Sequence, residues 1–134
     1  MATTSLLRSG TLTVSVACPA DQLYRFASNP ANFPKWVTSF VTSARHTEAG
    51  WRLQTTNGEI GITFAPENPY GVLDHVVTVA PGVEITNPLR VVPNGPGCEV
   101  MFTLFQRPEM TDIQFAADAG MVERDLQTLK RLLE

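Results

Sequence analysis

TDIQFAADAGMVERDLQTLKRLLE, residues 111–134, carries a single apolar stripe: Phe115, Ala119, Val122, Leu126, Leu129 and Leu133 recur at steps of four and three. That period puts them on one side of an α-helix. Thr111 followed by Gln114 supplies a capping box, in which each side chain satisfies a backbone donor of the first turn. Asp118, Glu123, Asp125, Gln127 and Arg131 fall off the stripe and read as the solvent side. At about 1.5 Å per residue such a helix exceeds ~30 Å, enough to cover a small sheet. The remainder of the chain has to supply that sheet.

Working backwards, the middle of the chain reads as strands divided by turns. Candidates are 42–48, 51–56, 59–66, 72–79, 83–92 and 98–106. Between them lie Ala49-Gly50, Asn57-Gly58, the stretch Glu67 to Gly71, Pro81-Gly82 and the stretch Pro93 to Gly97. Asn-Gly is a hairpin signal because both residues tolerate positive φ, so short antiparallel connections follow. Ahead of these, Gly10 to Cys18 alternates strictly, with Leu12, Val14 and Val16 on one face and Thr11, Thr13 and Ser15 on the other. This is a half-buried strand. Pro19 stops it and opens a short helix through Leu23, Phe26 and Ala27, which Asn29-Pro30 ends. A second helical piece over Asn32 to Phe40 would bury Phe33, Trp36, Val37 and Phe40. The order predicts an α+β fold, in one domain spanning residues 1–134.

Composition bounds the function. With 134 residues and 43% of them hydrophobic, the chain is large enough for a core and too apolar for disorder. The net charge is −3 and the cations are scattered, which argues against a nucleic-acid partner. No apolar run is long enough for a membrane span. The opening residues show no charged start followed by a long apolar stretch, so a cytoplasmic protein is expected. Cys18 and Cys98 form no closely spaced pair, and reduced thiols are expected. His46 and His75 lack metal-ligand spacing, so neither a metal site nor another cofactor is expected.

The run Val14-Ser-Val16-Ala-Cys-Pro19-Ala-Asp-Gln-Leu23-Tyr-Arg-Phe26, then Asn29-Pro30-Ala-Asn-Phe33-Pro34-Lys-Trp36, resembles the opening of the START/Bet v 1-like superfamily (SRPBCC, polyketide cyclase-like). Glu123-Arg-Asp-Leu126-Gln-Thr-Leu129-Lys-Arg-Leu132 is similar to its final helix, and the resemblance covers Thr11 to Leu133. It implies a helix-grip fold: a seven-stranded antiparallel curved sheet around a long C-terminal helix, two short helices after strand 1, and a cavity between sheet and helix. It also implies that the first and last strands pair. Setting Val16 opposite Val100 aligns Val14 with Phe102 and Leu12 with Leu104, all on one face. The turn at Pro81-Gly82 sets Val79 against Val83, Val77 against Ile85, His75 against Asn87 and Leu73 against Leu89. Asp74 then points to the opposite face from His75.

This placement leaves His75 and Asn87 as a polar pair on an apolar inward face. They either orient a ligand or satisfy one another in a buried site. The small residues Ala116, Ala117, Ala119 and Gly120 suggest spare volume at that end of the last helix, with Met121 near its rim. Candidate ligand contacts are Trp36, Phe40, Phe64, Leu73, His75, Val77, Asn87, Leu89, Phe102, Phe115, Ala119 and Val122. The expected function is binding of a small hydrophobic or amphipathic molecule, lipid or polyketide-like, by a monomer or homodimer. Glu59, Glu84 and Glu99 read as solvent-facing strand residues. Two alternatives stand beside that function. One is a cofactor-independent cyclase or dehydratase with His75 as proton-transfer group. The other is a protein-interaction module contacting partners through Trp36, Trp51 or Tyr70.

Overall fold

The computed structural model describes residues 6–134, so part of the opening stretch considered above lies outside the described residues. The elements are β1 (Ser9–Val16), α1 (Ala20–Ala27), a 3-10 turn at Pro30–Asn32, α2 (Phe33–Trp36), β2 (Val41–Thr47), β3 (Gly50–Thr55), β4 (Gly58–Phe64), β5 (His75–Ala80), β6 (Val83–Asn87), β7 (Leu89–Asn94), β8 (Gly97–Phe105) and α3 (Asp112–Leu133). The α+β class and the long closing helix are as expected. At the start of α3 the Thr111 hydroxyl accepts from the Gln114 N–H at 3.1 Å, and Gln114 Oε1 accepts from the Thr111 N–H at 2.9 Å.

The single seven-stranded sheet is corrected. Among the described residues there are eight strands in two antiparallel sheets, β1-β8-β7 and β2-β3-β4-β5-β6. Pro88 causes the division, because a residue without an N–H cannot continue a ladder. The expected strand 83–92 therefore becomes β6, which pairs with β5, and β7, which pairs with β8. The expected strand 72–79 divides at the same level: the Leu73 N–H donates to the Leu89 carbonyl at 2.8 Å, and the Val91 N–H to the Gly71 carbonyl at 2.9 Å. Gly71 sits at φ +73°, and a side chain there would strike the Val91 carbonyl, so only glycine suits this approach. Asp74 pins the seam. Its Oδ1 accepts from the Leu89 N–H and from Arg90 Nε, both at 2.9 Å, and its Oδ2 accepts from Arg90 Nη2 at 2.7 Å.

Registers differ in two places. β1 and β8 pair with Val14 opposite Val100, Leu12 opposite Phe102 and Val16 opposite Cys98, two residues away from the expected alignment. An even slip keeps every side chain on its face, so Val14, Val16, Cys98 and Val100 are all buried. In the β5–β6 hairpin His75 faces Asn87 and Val77 faces Ile85 as expected, but a bulge between Thr78 and Ala80 sets Val83 against Ala80 instead of Val79. The first helix starts after Pro19, which is its N-cap. α2 is shorter than expected, because Val37 leaves the helical region at ψ 50° and the chain turns into β2.

The core gathers Leu23, Leu53, Leu73, Leu89, Val100, Leu126 and Leu129, all fully buried. α3 lies across β1 and β8, α1 against β7, and α2 against β2 and α3. The carboxyl end of α3 is tied to the end of β1, where Lys130 Nζ donates to the Ser15 carbonyl and to Glu134 Oε2, each at 2.7 Å. The same Glu134 oxygen accepts from the Ala17 N–H at 2.9 Å. Cys18 and Cys98 are both buried free thiols, and burial pushes both pKa values up.

Candidate functional site

A cavity of about 620 Å³ lies between the five-stranded sheet, β8, the α2–β2 segment and the middle of α3. That volume is in the range of small-molecule sites. Leu53, Ile60, Val77 and Ile85 form its sheet wall, Phe102 and Leu104 its β8 wall, and Met121, Val122 and Leu126 its helix wall. Phe33, Trp36, Val37 and Phe40 close one end, while the exposed side chains of Val79 and Phe105 stand at the mouth.

Of the residues singled out from sequence, the cavity brings together Trp36, Phe40, His75, Val77, Asn87, Phe102 and Val122. Phe64 stands behind the wall, its ring 5.7 Å from Phe33 and 5.1 Å from His75. Leu73 and Leu89 sit beyond the Pro88 seam, where that break carries them into the closed core. Phe115 packs where α3 crosses β1, against Gly10, with the Arg8 guanidinium 4.9 Å from its ring centre. Ala119 is partly buried outside the lining, and Ala116 and Ala117 are exposed. The open space therefore runs along Asp118 to Leu126, towards the carboxyl side of the alanine-rich stretch where it was expected.

His75 is only 5% exposed and sits among the rings of Phe33, Phe64 and Phe102, at 5.9, 5.1 and 6.2 Å. Its Nδ1 lies 3.0 Å from the Leu73 carbonyl, an acceptor, so Nδ1 carries the proton and Nε2 the lone pair. Burial pushes its pKa below 6.5, outweighing the Leu73 bond and the Asp74 charge, so the ring is neutral. Asn87 is its ladder partner, yet no side-chain hydrogen bond joins the two among the described residues. Mutual satisfaction does not account for the pair. Asp74 points away, as expected, into its Arg90 ion pair.

Two features of the lining have no counterpart in the sequence reading. Trp36 is 3% exposed, and its Nε1–H has no hydrogen-bond partner among the described residues. Buried donors are ordinarily satisfied, so this indole N–H, unpaired and sealed from the open space, is an exception in the packed end of the cavity wall. Asp125, read as solvent-facing, is 6% exposed and lines the cavity. Its Oδ1 accepts from the Ser39 N–H at 3.1 Å and its Oδ2 from Ser39 Oγ at 2.7 Å. Burial pushes the Asp125 carboxyl above the usual range, against the pull of those bonds. Asp118 also lines the cavity and is likewise raised by burial. The spacing Asp118, Val122, Asp125 would have placed both acids on the stripe face. Glu84, assigned to solvent, is exposed and stands at the mouth.

Among the described residues no group of three or more His, Cys, Asp or Glu side chains is arranged to hold a metal ion, and no helix is long and apolar enough to cross a membrane. Of the aromatics considered for partner contacts, Trp36 is buried, Trp51 packs against the core and Tyr70 is 80% exposed.

Comparison with known proteins agrees with this geometry. The family described as polyketide cyclase / dehydrase and lipid transport matches residues 8–134. No curated protein matches the sequence. Among solved structures, the protein XoxI from Bacillus cereus is similar at 16% identity and a TM-score of 0.75, covering 95% of this chain and 96% of that one. A START superfamily protein from Mycobacterium smegmatis is similar at 14% identity and a TM-score of 0.67, covering 93% and 96%. The di-domain ARO/CYC BexL from the BE-7585A biosynthetic pathway is similar at 18% identity and a TM-score of 0.69, covering 93% of this chain and 46% of that one. At these identities the likeness is one of fold.

Proposed function

Because the chain belongs to the polyketide cyclase/dehydrase and lipid transport family, we propose that its cavity holds a small apolar or amphipathic organic molecule. The observation that carries this reading is a largely apolar space of about 620 Å³ held open between the five-stranded sheet and α3. Affinity comes from apolar walls, at roughly 25 cal/mol per Å² of ligand surface removed from water. Polar groups then set orientation: His75 and Asn87 both line the space, and among the described residues His75 Nε2 and the Asn87 amide have no protein hydrogen-bond partner. The site residues proposed are the cavity-lining ones of the sequence reading, with Ser39 and Asp125 added.

Thermal unfolding with a library of aromatic and lipid-like compounds tests this, since binding to the native state raises the midpoint. Compounds that raise the wild-type midpoint should fail to do so in Val122→Phe, where a ring occupies the helix wall. No shift across the library for wild type contradicts the proposal. A cyclase-like reading is favoured by one further observation, a neutral imidazole inside the cavity able to accept a proton. Under it, His75→Ala binds substrate with little change while turnover collapses. Equal turnover removes it.

A further inference from the structure

We infer that the cavity recognises a hydroxyl group: it takes an apolar molecule whose hydroxyl donates to His75 Nε2 and accepts from the Asn87 amide, in preference to the matching ether or ketone. This deepens the proposed function and rests on its first reading, occupancy of the cavity by a small organic molecule. His75 is 5% exposed and lines the cavity. Its Nδ1 is spent on the Leu73 carbonyl at 3.0 Å, which leaves Nε2 as a lone pair with no protein donor among the described residues. Within those residues, Trp36 Nε1 is the one buried side-chain nitrogen or oxygen that is both sealed and unpaired. His75 Nε2, unpaired but not sealed, is therefore reached from the open space.

The cost of filling that space decides what fits. Water entering an open cavity can satisfy Nε2, but a ligand that displaces it leaves a bare buried acceptor unless it brings a donor. A ketone, an ether or a carboxylate brings none. A hydroxyl does, and its oxygen keeps lone pairs for a second partner. Asn87 supplies that partner. It stands directly across the β5–β6 ladder from His75, lines the same cavity and makes no side-chain hydrogen bond among the described residues. Opposed residues in an antiparallel pair hold their Cβ atoms about 4.5–5.5 Å apart, close enough for one oxygen to meet both side chains. Burial keeps the imidazole neutral, so Nε2 stays an acceptor near neutral pH. The rings of Phe33, Phe64 and Phe102 around it make the setting apolar, where a matched hydrogen bond counts for more and an unmatched one costs more.

Isothermal titration near neutral pH with 2-(1-naphthyl)ethanol and its methyl ether tests the inference, because the ether keeps the frame and the accepting oxygen but loses the donor. The alcohol should bind about tenfold or more tightly than the ether. In His75→Phe the alcohol should weaken to near the ether, while the ether holds its wild-type affinity. In Asn87→Leu both probes should weaken several-fold alike, because the accepting oxygen is common to them. An ether that binds wild type as tightly as the alcohol overturns the inference. So does a preference that survives His75→Phe, which would trace to the bulk of the added methyl, and so do unmoved affinities in Asn87→Leu. Should His75→Phe not fold, the wild-type ratio and Asn87→Leu still decide. If both probes bind without discrimination, the cavity reading survives and this inference alone falls. If neither binds, cavity occupancy falls and takes the inference with it.

Discussion

Replacing His75 by Phe separates a neutral, water-excluded imidazole from one that merely sits near the surface. At high pH the exchange should be close to neutral. It removes the Nδ1–H···O bond to Leu73, worth about 1 kcal/mol net. In return it gives Phe33, Phe64 and Phe102 an apolar ring neighbour, at roughly 0.5–1.5 kcal/mol per good aromatic pair. The difference in unfolding free energy at about pH 8 should therefore stay within ~1–2 kcal/mol. The informative quantity is its slope with pH. Because burial holds the folded pKa below 6.5, the unfolded chain takes up a proton that the folded chain does not as pH falls through 6.5. The wild-type stability contributed by this group is fully present above 6.5 and is lost on going down to the folded pKa, at up to about 1.4 kcal/mol per pH unit. His75→Phe has no such group, so its stability should gain on the wild type by that amount per unit. Asp118 and Asp125, both raised, act in the opposite sense at lower pH, but they are common to both proteins and cancel in the difference. Urea unfolding of the two proteins at intervals from about pH 8 to about pH 5 reads the slope directly. Parallel curves would refute the reasoning, since they require His75 to protonate as easily folded as unfolded.

Asp74→Ala should destabilise by about 1–3 kcal/mol, because the Leu89 N–H loses its partner at the Pro88 seam, while the half-exposed Arg90 pairing adds little. The Arg90 hydrogen bond and the Leu89 N–H hold this carboxyl below its ordinary value. Its contribution is thus present above 3.8 and is lost as pH falls through the folded pKa, a loss that denaturant midpoints should show in wild type and not in the variant. Ser39→Ala removes the hydroxyl donor to Asp125 Oδ2 and should cost about 1–2 kcal/mol, with Asp125 driven further upward. Carboxyl carbon shifts followed by NMR would show an unchanged midpoint if the Ser39 contact is incidental.

Much of the fold is legible because its signals are local. The step-four, step-three stripe and the Thr111–Gln114 box define α3, and counting outward from Pro81-Gly82 places His75 opposite Asn87. The β1–β8 alignment escapes the same logic, because a slip of two residues leaves Val14, Val16 and Val100 facing inward and the pattern cannot tell the alignments apart. The sheet division was written in Pro88, whose missing N–H outweighs the apolar continuity of Ile85, Leu89 and Val91 around it. The site was half legible. Its apolar wall follows from strand alternation, and Asp118 and Asp125 were set aside because acids off a stripe usually face water. What overrides that rule is tertiary: Ser39 arrives from the α2–β2 turn and gives Asp125 two donors inside the protein.

Methyl NMR of the chain titrated with 2-(1-naphthyl)ethanol would test ligand occupancy most directly. Shifts should concentrate at Ile60, Val77, Ile85, Val122 and Leu126, which line the space beneath α3. The methyls of Val92, Ile113 and Leu132, exposed elsewhere on the molecule, should stay still. Movement confined to those outer methyls, or none at any concentration, would contradict a cavity built to be filled.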